Sequence, residues 1–275
     1  MAEPGRFVAR DGERDFATVS SRGAERPENR EAGYSFNVVS AIEAVQSAVA
    51  GQWDIPEFQR EFVWKPSQVC ALADSLWRSY PIGALLLWRV GKGGDGRAPL
   101  WVADGQQRLT ALCLLHGAVP SWLKRKPEEF RANMRRRFDI RFDVSARTAP
   151  RFVVANVSGN RRSDPALVPT GKLMALDPRS RRGSSELERL AVQLKAAGCC
   201  PELDTAELYQ RLAHVSLMRR REVVATLIDH QQREEVLDIF ARLNSRGMRF
   251  RRLVLKLAME EIPAAIRGLR GRYEP

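Results

Sequence analysis

The sequence predicts a mixed α/β fold: a small sheet of short strands, with a substantial helical part towards the C-terminus. Three observations carry this reading. Apolar residues recur at helical spacing in Ser67–Tyr80, where Val69, Leu72, Ala73, Leu76, Trp77 and Tyr80 share one face. Short apolar or alternating runs of strand length occupy Ala84–Val90, Leu100–Ala103, Phe138–Val144 and Phe152–Val157. Beyond Ser184 helical periods dominate, in Ser184–Ala197 and Thr205–Met218, with one strand-like run, Glu222–Ile228, between helices. Hydrophobic residues make up 44% of 275 positions, enough for a real core.

Along the chain, residues 1–33 carry Pro, Gly, Ser and charge without a period, and read as a disordered tail outside the fold. From Ser35 a helical pattern is expected through Val38, Ile42, Val45 and Val49, stopped by Gly51. Trp53–Lys65 is too aromatic for an ordinary loop. Ser67 after Pro66 is the expected N-cap of the next helix, which Pro81 ends. The runs Ala84–Val90 and Leu100–Ala103 flank the glycine-rich turn Gly91–Arg97 and suggest a hairpin or adjacent strands. After Asp104-Gly105 a helix should start, since Leu109, Leu112, Cys113 and His116 share a face and Gly117 stops it. The proline-rich interval 158–183 reads as an exposed connection between a core at 34–157 and a helical part, 184–275, that completes the same domain. Near the end, a helix Arg233–Leu243 closing on Asn244-Ser245-Arg246-Gly247, and another through Leu253, Leu257 and Ile262, complete the pattern.

Forty-five basic against 33 acidic residues give a net charge of +12, and only seven of the basic residues are Lys. An Arg excess favours phosphate partners, because the guanidinium fork matches phosphate oxygens and stays charged; a GC-rich genome produces the same bias without any binding. No apolar run approaches the roughly 20 residues of a membrane span, and the N-terminus lacks the apolar core of a signal peptide. Cys70, Cys113, Cys199 and Cys200 show no C-x-x-C spacing. A reducing cytoplasm is the expected compartment.

The chemistry concentrates in Asp104-Gly105-Gln106-Gln107-Arg108, a polar pentad on a strand-to-helix turn. A helix N-terminus exposes free amides at the positive end of its dipole, which suits an anion. In that setting Asp104 would hold Mg²⁺, Gln106 or Gln107 would orient a water, and Arg108 would neutralise phosphate charge. In isolation the same five residues more often form a solvated Asp-Gly turn; their place between two apolar elements favours the functional reading. A second cluster, Ile55–Trp64, interleaves Phe58, Phe62 and Trp64 with Gln59 and Arg60. It suits base stacking or, equally, a core-lining strand. The third, Phe240–Gly247, reads first as a helix C-cap. No G-x-x-x-x-G-K-[ST] and no G-x-G-x-x-G opening a helix is present. His116, His214 and His230 fit no zinc or H-N-H pattern. Among the arginine runs, Arg135, Arg136, Arg137, Arg219 and Arg220 are the candidate contacts to DNA phosphate, although such runs more often form solvated faces.

In order, I-P-E-F-Q-R-E-F-V-W (55–64), P-I-G (81–83), D-G-Q-Q-R-L-T (104–110) and I-F-A-R-L-N-S-R-G (239–247) resemble the GmrSD-type N-terminal domain of bacterial defence systems. The resemblance spans roughly residues 35–260 and implies a ParB/sulfiredoxin-like core. It implies an NTP-binding or NTP-hydrolysing module, GTP or another NTP with Mg²⁺, in restriction of modified double-stranded DNA, including phosphorothioated DNA in one branch. By that likeness Asp104, Gln106, Gln107 and Arg108 are the catalytic motif, with Asp104 towards the metal. Gln59, Arg60, Gly105 and Asn244 contribute to the nucleotide pocket. Family members usually attach an H-N-H nuclease domain, so nuclease activity is expected from a further domain or a separate subunit. A homodimer fits the same picture. Two rival functions come from other classes: a non-catalytic DNA-binding regulatory module, and a ParB-like nuclease acting directly.

Overall fold

The computed structural model of the protein describes residues 33–55, 59–89, 99–155 and 163–229. The first surprise is at its beginning. Gly33–Ser40 is not the start of a helix but a strand, β1, paired antiparallel over its whole length with Glu222–Asp229, here called β8. Val38, expected on the apolar stripe of that helix, faces solvent with 59% of its surface exposed. Pairing with a strand almost 190 positions away overrides the local period, as β pairing commonly does. The helix α1 follows as Ala41–Ala50, with Ser40 as N-cap in a capping box: the Glu43 amide donates to Ser40 Oγ and the Ser40 amide to the Glu43 carboxylate. Gly51 ends it in the left-handed conformation.

A two-residue strand, β2 (Trp53–Asp54), precedes the second helix, α2, which runs Pro66–Trp77. Its N-cap is Lys65, not Ser67, because proline at the first helical position brings a preset φ and no N–H that needs a partner. The helix also ends a turn earlier than its apolar pattern, and Tyr80 is exposed. The hairpin strands β3 (Leu85–Arg89) and β4 (Leu100–Asp104) are antiparallel, with an irregularity between Leu86 and Leu87. They join β1, β2 and β8 in a five-stranded sheet of order β1-β8-β3-β4-β2, in which β8 lies parallel to β3 and β2 parallel to β4.

The helix α3 (Gln106–Leu115) follows β4 after one residue. Leu109, Ala111, Leu112, Cys113 and Leu115 are all fully buried, so this helix is apolar around most of its circumference and runs through the core. Burying each such leucine contributes about 1.5–3 kcal/mol. Next come α4 (Ser121–Lys124), α5 (Glu128–Arg137), β5 (Ile140–Asp143) and β6 (Phe152–Val154). The interval expected to be an exposed connection instead contains a strand, β7 (Leu167–Pro169), and a short helix, α6 (Thr170–Met174). Leu167, Val168, Leu173 and Met174 are buried, and β7 completes a second sheet of order β6-β5-β7. Of its prolines, Pro165 and Pro178 fall in turns and Pro169 ends β7 as the N-cap of α6. This sheet packs on α2 through Trp77, which stacks on Phe142 at 5.3 Å between ring centroids.

The helices α7 (Arg181–Ala196) and α8 (Thr205–Leu217) agree with their predicted periods. A 3-10 turn, Met218–Arg220, then delivers the chain into β8. The region read as a helical completion of the domain thus supplies a strand to the middle of the main sheet. The helices expected at 233–243 and 253–262 lie outside the described residues. All four cysteines are free. No helix of the described residues is long and apolar enough to cross a membrane.

Candidate functional site

The pentad sits where the sequence put it, on the turn from β4 into α3. Gly105 is the N-cap residue, with φ +90°. A Cβ built on it would meet Leu85 Cδ2 at 2.4 Å, so both the backbone angle and the close approach of β3 require glycine. Glycine brings no side chain to cap the helix. The amides of Gln106, Gln107 and Arg108 therefore stand at a positive helix end that no N-cap side chain neutralises, beside a buried Gly105.

The side chains of the pentad diverge around the helix. Successive residues turn by about 100°, so Gln106 and Thr110 share one face while Arg108 looks the opposite way. Arg108 folds back over Gly83, donating from Nη1 to the carbonyl oxygens of Ala84 and Ile82 and from Nη2 to Asp104 Oδ2 at 3.3 Å. Gly83, with φ +83°, is required here: a Cβ on it would lie 2.6 Å from Arg108 Nη1. This explains the glycine of P-I-G, whose function the sequence did not show. Asp104 keeps 41% of its side chain exposed while paired with Arg108.

The two glutamines staple the segment Gln59–Trp64 across the first turn of α3. Gln107 is 7% exposed. Its Oε1 accepts from the amides of Val63 (2.8 Å) and Trp64 (3.3 Å), and its Nε2 donates to the carbonyl of Glu61 (3.1 Å). Gln106 Nε2 donates to the carbonyl of Arg60, and Gln59 Nε2 to that of Val102 at 2.9 Å. The aromatic segment is thus an irregular strap, not a core-lining strand, and Gln107 is a positioning residue with both ends of its amide committed.

Beneath the strap lies a cavity of about 390 Å³ that includes Gln59, Arg60, Phe62, Gln106, Thr110 and Trp122 in its wall. Arg125 and Lys126 stand at its rim, Arg125 paired with Asp54 at 2.8 Å and Lys126 with Glu61 at 3.2 Å. Sequence reasoning missed Trp122, Arg125 and Lys126; a basic pair beside an aromatic was the only signal, and nothing local connects it to a strap 60 residues earlier. Asp104 and Arg108 lie outside this cavity's lining, so a ligand touching both halves of the pentad would have to cross the helix end over Gly105.

No group of three or more His, Cys, Asp or Glu side chains that could hold a metal occurs among the described residues. Asp104, the pentad's one carboxylate, already pairs through Oδ2 with Arg108, and it is the residue of the pentad that would hold Mg²⁺. Burial pushes the Cys70 thiol up to about 11 and the Cys113 thiol higher still, so neither offers a thiolate at neutral pH. Of the arginines proposed for DNA, Arg135, Arg136 and Arg137 are exposed on the last turn of α5. Arg135 pairs with Glu128, and Arg137 lies over the Phe138 ring. Arg219 donates to the Ala175 carbonyl and Arg220 pairs with Asp177, so both anchor the chain after α6. Neither group is in the wall of the cavity beneath the strap. Asn244 lies outside the described residues.

The strap and the pentad are two of the four ordered motifs, and here they are physically one unit. A comparison with family models matches residues 42–253 to the GmrSD restriction endonuclease N-terminal domain. The chain belongs to this family. It is therefore a component of a restriction system of phage defence, as the four motifs implied. No curated protein matches the chain. The matched span runs from α1 to β8, so the strap, the pentad and the three-stranded sheet lie inside it, and of the five-stranded sheet only β1 lies before it.

Proposed function

We propose that this domain binds and hydrolyses a nucleoside triphosphate, GTP or a relative, with Mg²⁺, and that modified DNA, phosphorothioated in one variant of the idea, regulates that turnover. The observation that carries the reading is the N-terminus of α3, without a side-chain cap, beside an aromatic-walled, cation-rimmed cavity closed by a strap that the pentad's own glutamines hold. Polyphosphate would meet the first-turn amides at this helix end, and Asp104 would hold Mg²⁺, whose charge would offset that of the phosphates. The base would stack against Trp122 or Phe62. Gln106 lends its amide NH₂ to Arg60 and keeps Oε1 without a partner among the described residues, so Gln106, not Gln107, orients the attacking water. Arg108, steadied by Asp104 and the Ala84 carbonyl, offers positive charge at the same helix end. Cleavage of DNA is assigned to a nuclease domain or subunit that works with this one, in a monomer or a homodimer.

The test is calorimetry and phosphate release with each common NTP and Mg²⁺, with plain and modified duplex DNA both tried. Absence of binding and of phosphate release under all these conditions sinks the proposal. One observation favours a second reading, a regulatory module that binds DNA without catalysis: Gln107 and Arg108 both commit donors to backbone carbonyls. That reading expects DNA binding with a steep salt dependence that persists without nucleotide.

A further inference from the structure

The opposite end of α3 carries a second cavity, of about 480 Å³. It is walled by the chain leaving α3, by α5 and by the start of α6, about 15 Å along the helix from the pentad. Its floor is apolar, with Val119, Met134, Phe138 and Ile140. Two buried polar atoms in this wall have no hydrogen-bond partner: His116 Nε2 and Arg131 Nε. The state of the histidine follows from geometry. Its Nδ1 is 2.8 Å from the Leu112 carbonyl and must donate there, so in the neutral ring Nε2 carries only a lone pair. Burial, with Arg219 nearby, holds the ring's pKa down at about 4, which keeps it neutral at pH 7. Two residues of the wall thus hold a buried, unpartnered polar atom, an acceptor on His116 and a donor on Arg131.

The wall carries Arg131, Arg135 and Lys172 against one carboxylate, Asp139, which pairs with Arg141 at 3.1 Å. Arg131 (2.7 Å) and Arg135 also share the carboxylate of Glu128, and Lys172 makes no ion pair among the described residues. Buried polar atoms without partners are costly, and such orphans are rare enough to need an explanation. A concave site of a few hundred Å³, apolar below and polar at a few points, is the form small-ligand sites take. We infer that this cavity binds a nucleotide-sized phosphate ester, its phosphate on Lys172 and Arg135 and a hydroxyl of its sugar donating to His116 Nε2. A DNA backbone is the poorer fit, because its phosphates meet exposed side chains and not an acceptor recessed beneath them. The inference is independent of the triphosphate site at the other end of the helix.

The experiment is calorimetry on the full chain at low salt with 5′-mononucleotides, ribose 5-phosphate, inorganic phosphate and a short DNA duplex as separate probes. At least one organic phosphate is expected to bind, at least tenfold more tightly than inorganic phosphate. Lys172→Glu, a change at an exposed residue, should weaken it at least tenfold, and His116→Phe should do the same while leaving the melting temperature unchanged or raised, which a merely structural histidine would not allow. The double variant Asp104→Asn/Gln106→Ala should leave this binding within twofold, which separates it from failure of the triphosphate reading. The inference is overturned if no organic phosphate binds, if inorganic phosphate binds equally well, if Lys172→Glu has no effect, or if only the duplex binds in a Lys172-dependent way.

Discussion

The two ends of α3 solve opposite problems. At the N-terminal end the polar side chains of the pentad find partners within the chain: Gln107 with three backbone groups, Arg108 with two carbonyls and Asp104. At the C-terminal end His116 Nε2 and Arg131 Nε are buried without any. The contrast teaches that a motif rich in functional residue types can be largely architectural. Conversely, residues with no motif around them can be left with the binding capacity. Of the pentad, Gln106 and Asp104 retain atoms with which to meet a ligand, while Gly105 and Gln107 build the place where it is met.

The largest expected effect comes from Gly105→Ala. A non-glycine residue at positive φ costs about 1–2 kcal/mol, and overpacking against Leu85 adds roughly 1–3 kcal/mol. Urea denaturation should report a total loss of about 3 kcal/mol; a loss below 1 would mean the turn is not held as described. Gln107→Leu comes next. It leaves the Val63 and Trp64 amides and the Glu61 carbonyl without partners, for a loss of about 2–3 kcal/mol. Gln106→Ala, one residue earlier, removes a single more exposed bond and should cost about 0.5–1 kcal/mol while abolishing phosphate release. If the two glutamine variants lose stability and turnover in equal measure, the division between positioning and chemistry is wrong.

The other end should reveal itself by pH. His116 has its folded-state pKa lowered to about 4 from 6.5, so between those values the unfolded chain binds a proton that the folded chain refuses. Stability is unaffected above pH 6.5 and falls as pH drops towards 4. The slope is at most about 1.4 kcal/mol per pH unit, or about 2 kcal/mol between pH 6.5 and 5. The charge of Arg219 acts in the same direction as burial. In His116→Phe this component of the acid sensitivity should vanish from chemical denaturation curves measured across that window. The smallest effect is expected at Arg135→Ala. An exposed ion pair with Glu128 contributes less than about 1 kcal/mol, so stability should hardly change while anion binding weakens.

Several elements were legible because their cause is local. The helical period of α8, the adjacent strands β3 and β4, and the Asp-Gly turn into α3 each depend on residues within a few positions of one another. The strap was visible only as an oddity of composition. That Arg60 and Glu61 offer their carbonyls to side chains more than 40 positions away, and that the Gln59 side chain donates to the Val102 carbonyl, are facts of packing. The reading of 158–183 as exposed failed for a similar reason: its prolines and charges are real, yet Leu167–Met174 threads between β5 and α8 as buried structure.

By itself the sequence determined the family, the mixed α/β class and the position of the pentad on a strand-to-helix turn, because glycine, proline and apolar spacing act over a turn or two of chain. Only the tertiary structure decided that β8 enters the sheet between β1 and β3, which binds the C-terminal region into the same core. It also decided which atoms of the pentad are engaged and that the two ends of one helix line separate cavities. Those outcomes depend on which backbone groups from distant segments arrive beside a side chain, and no short-range pattern encodes that.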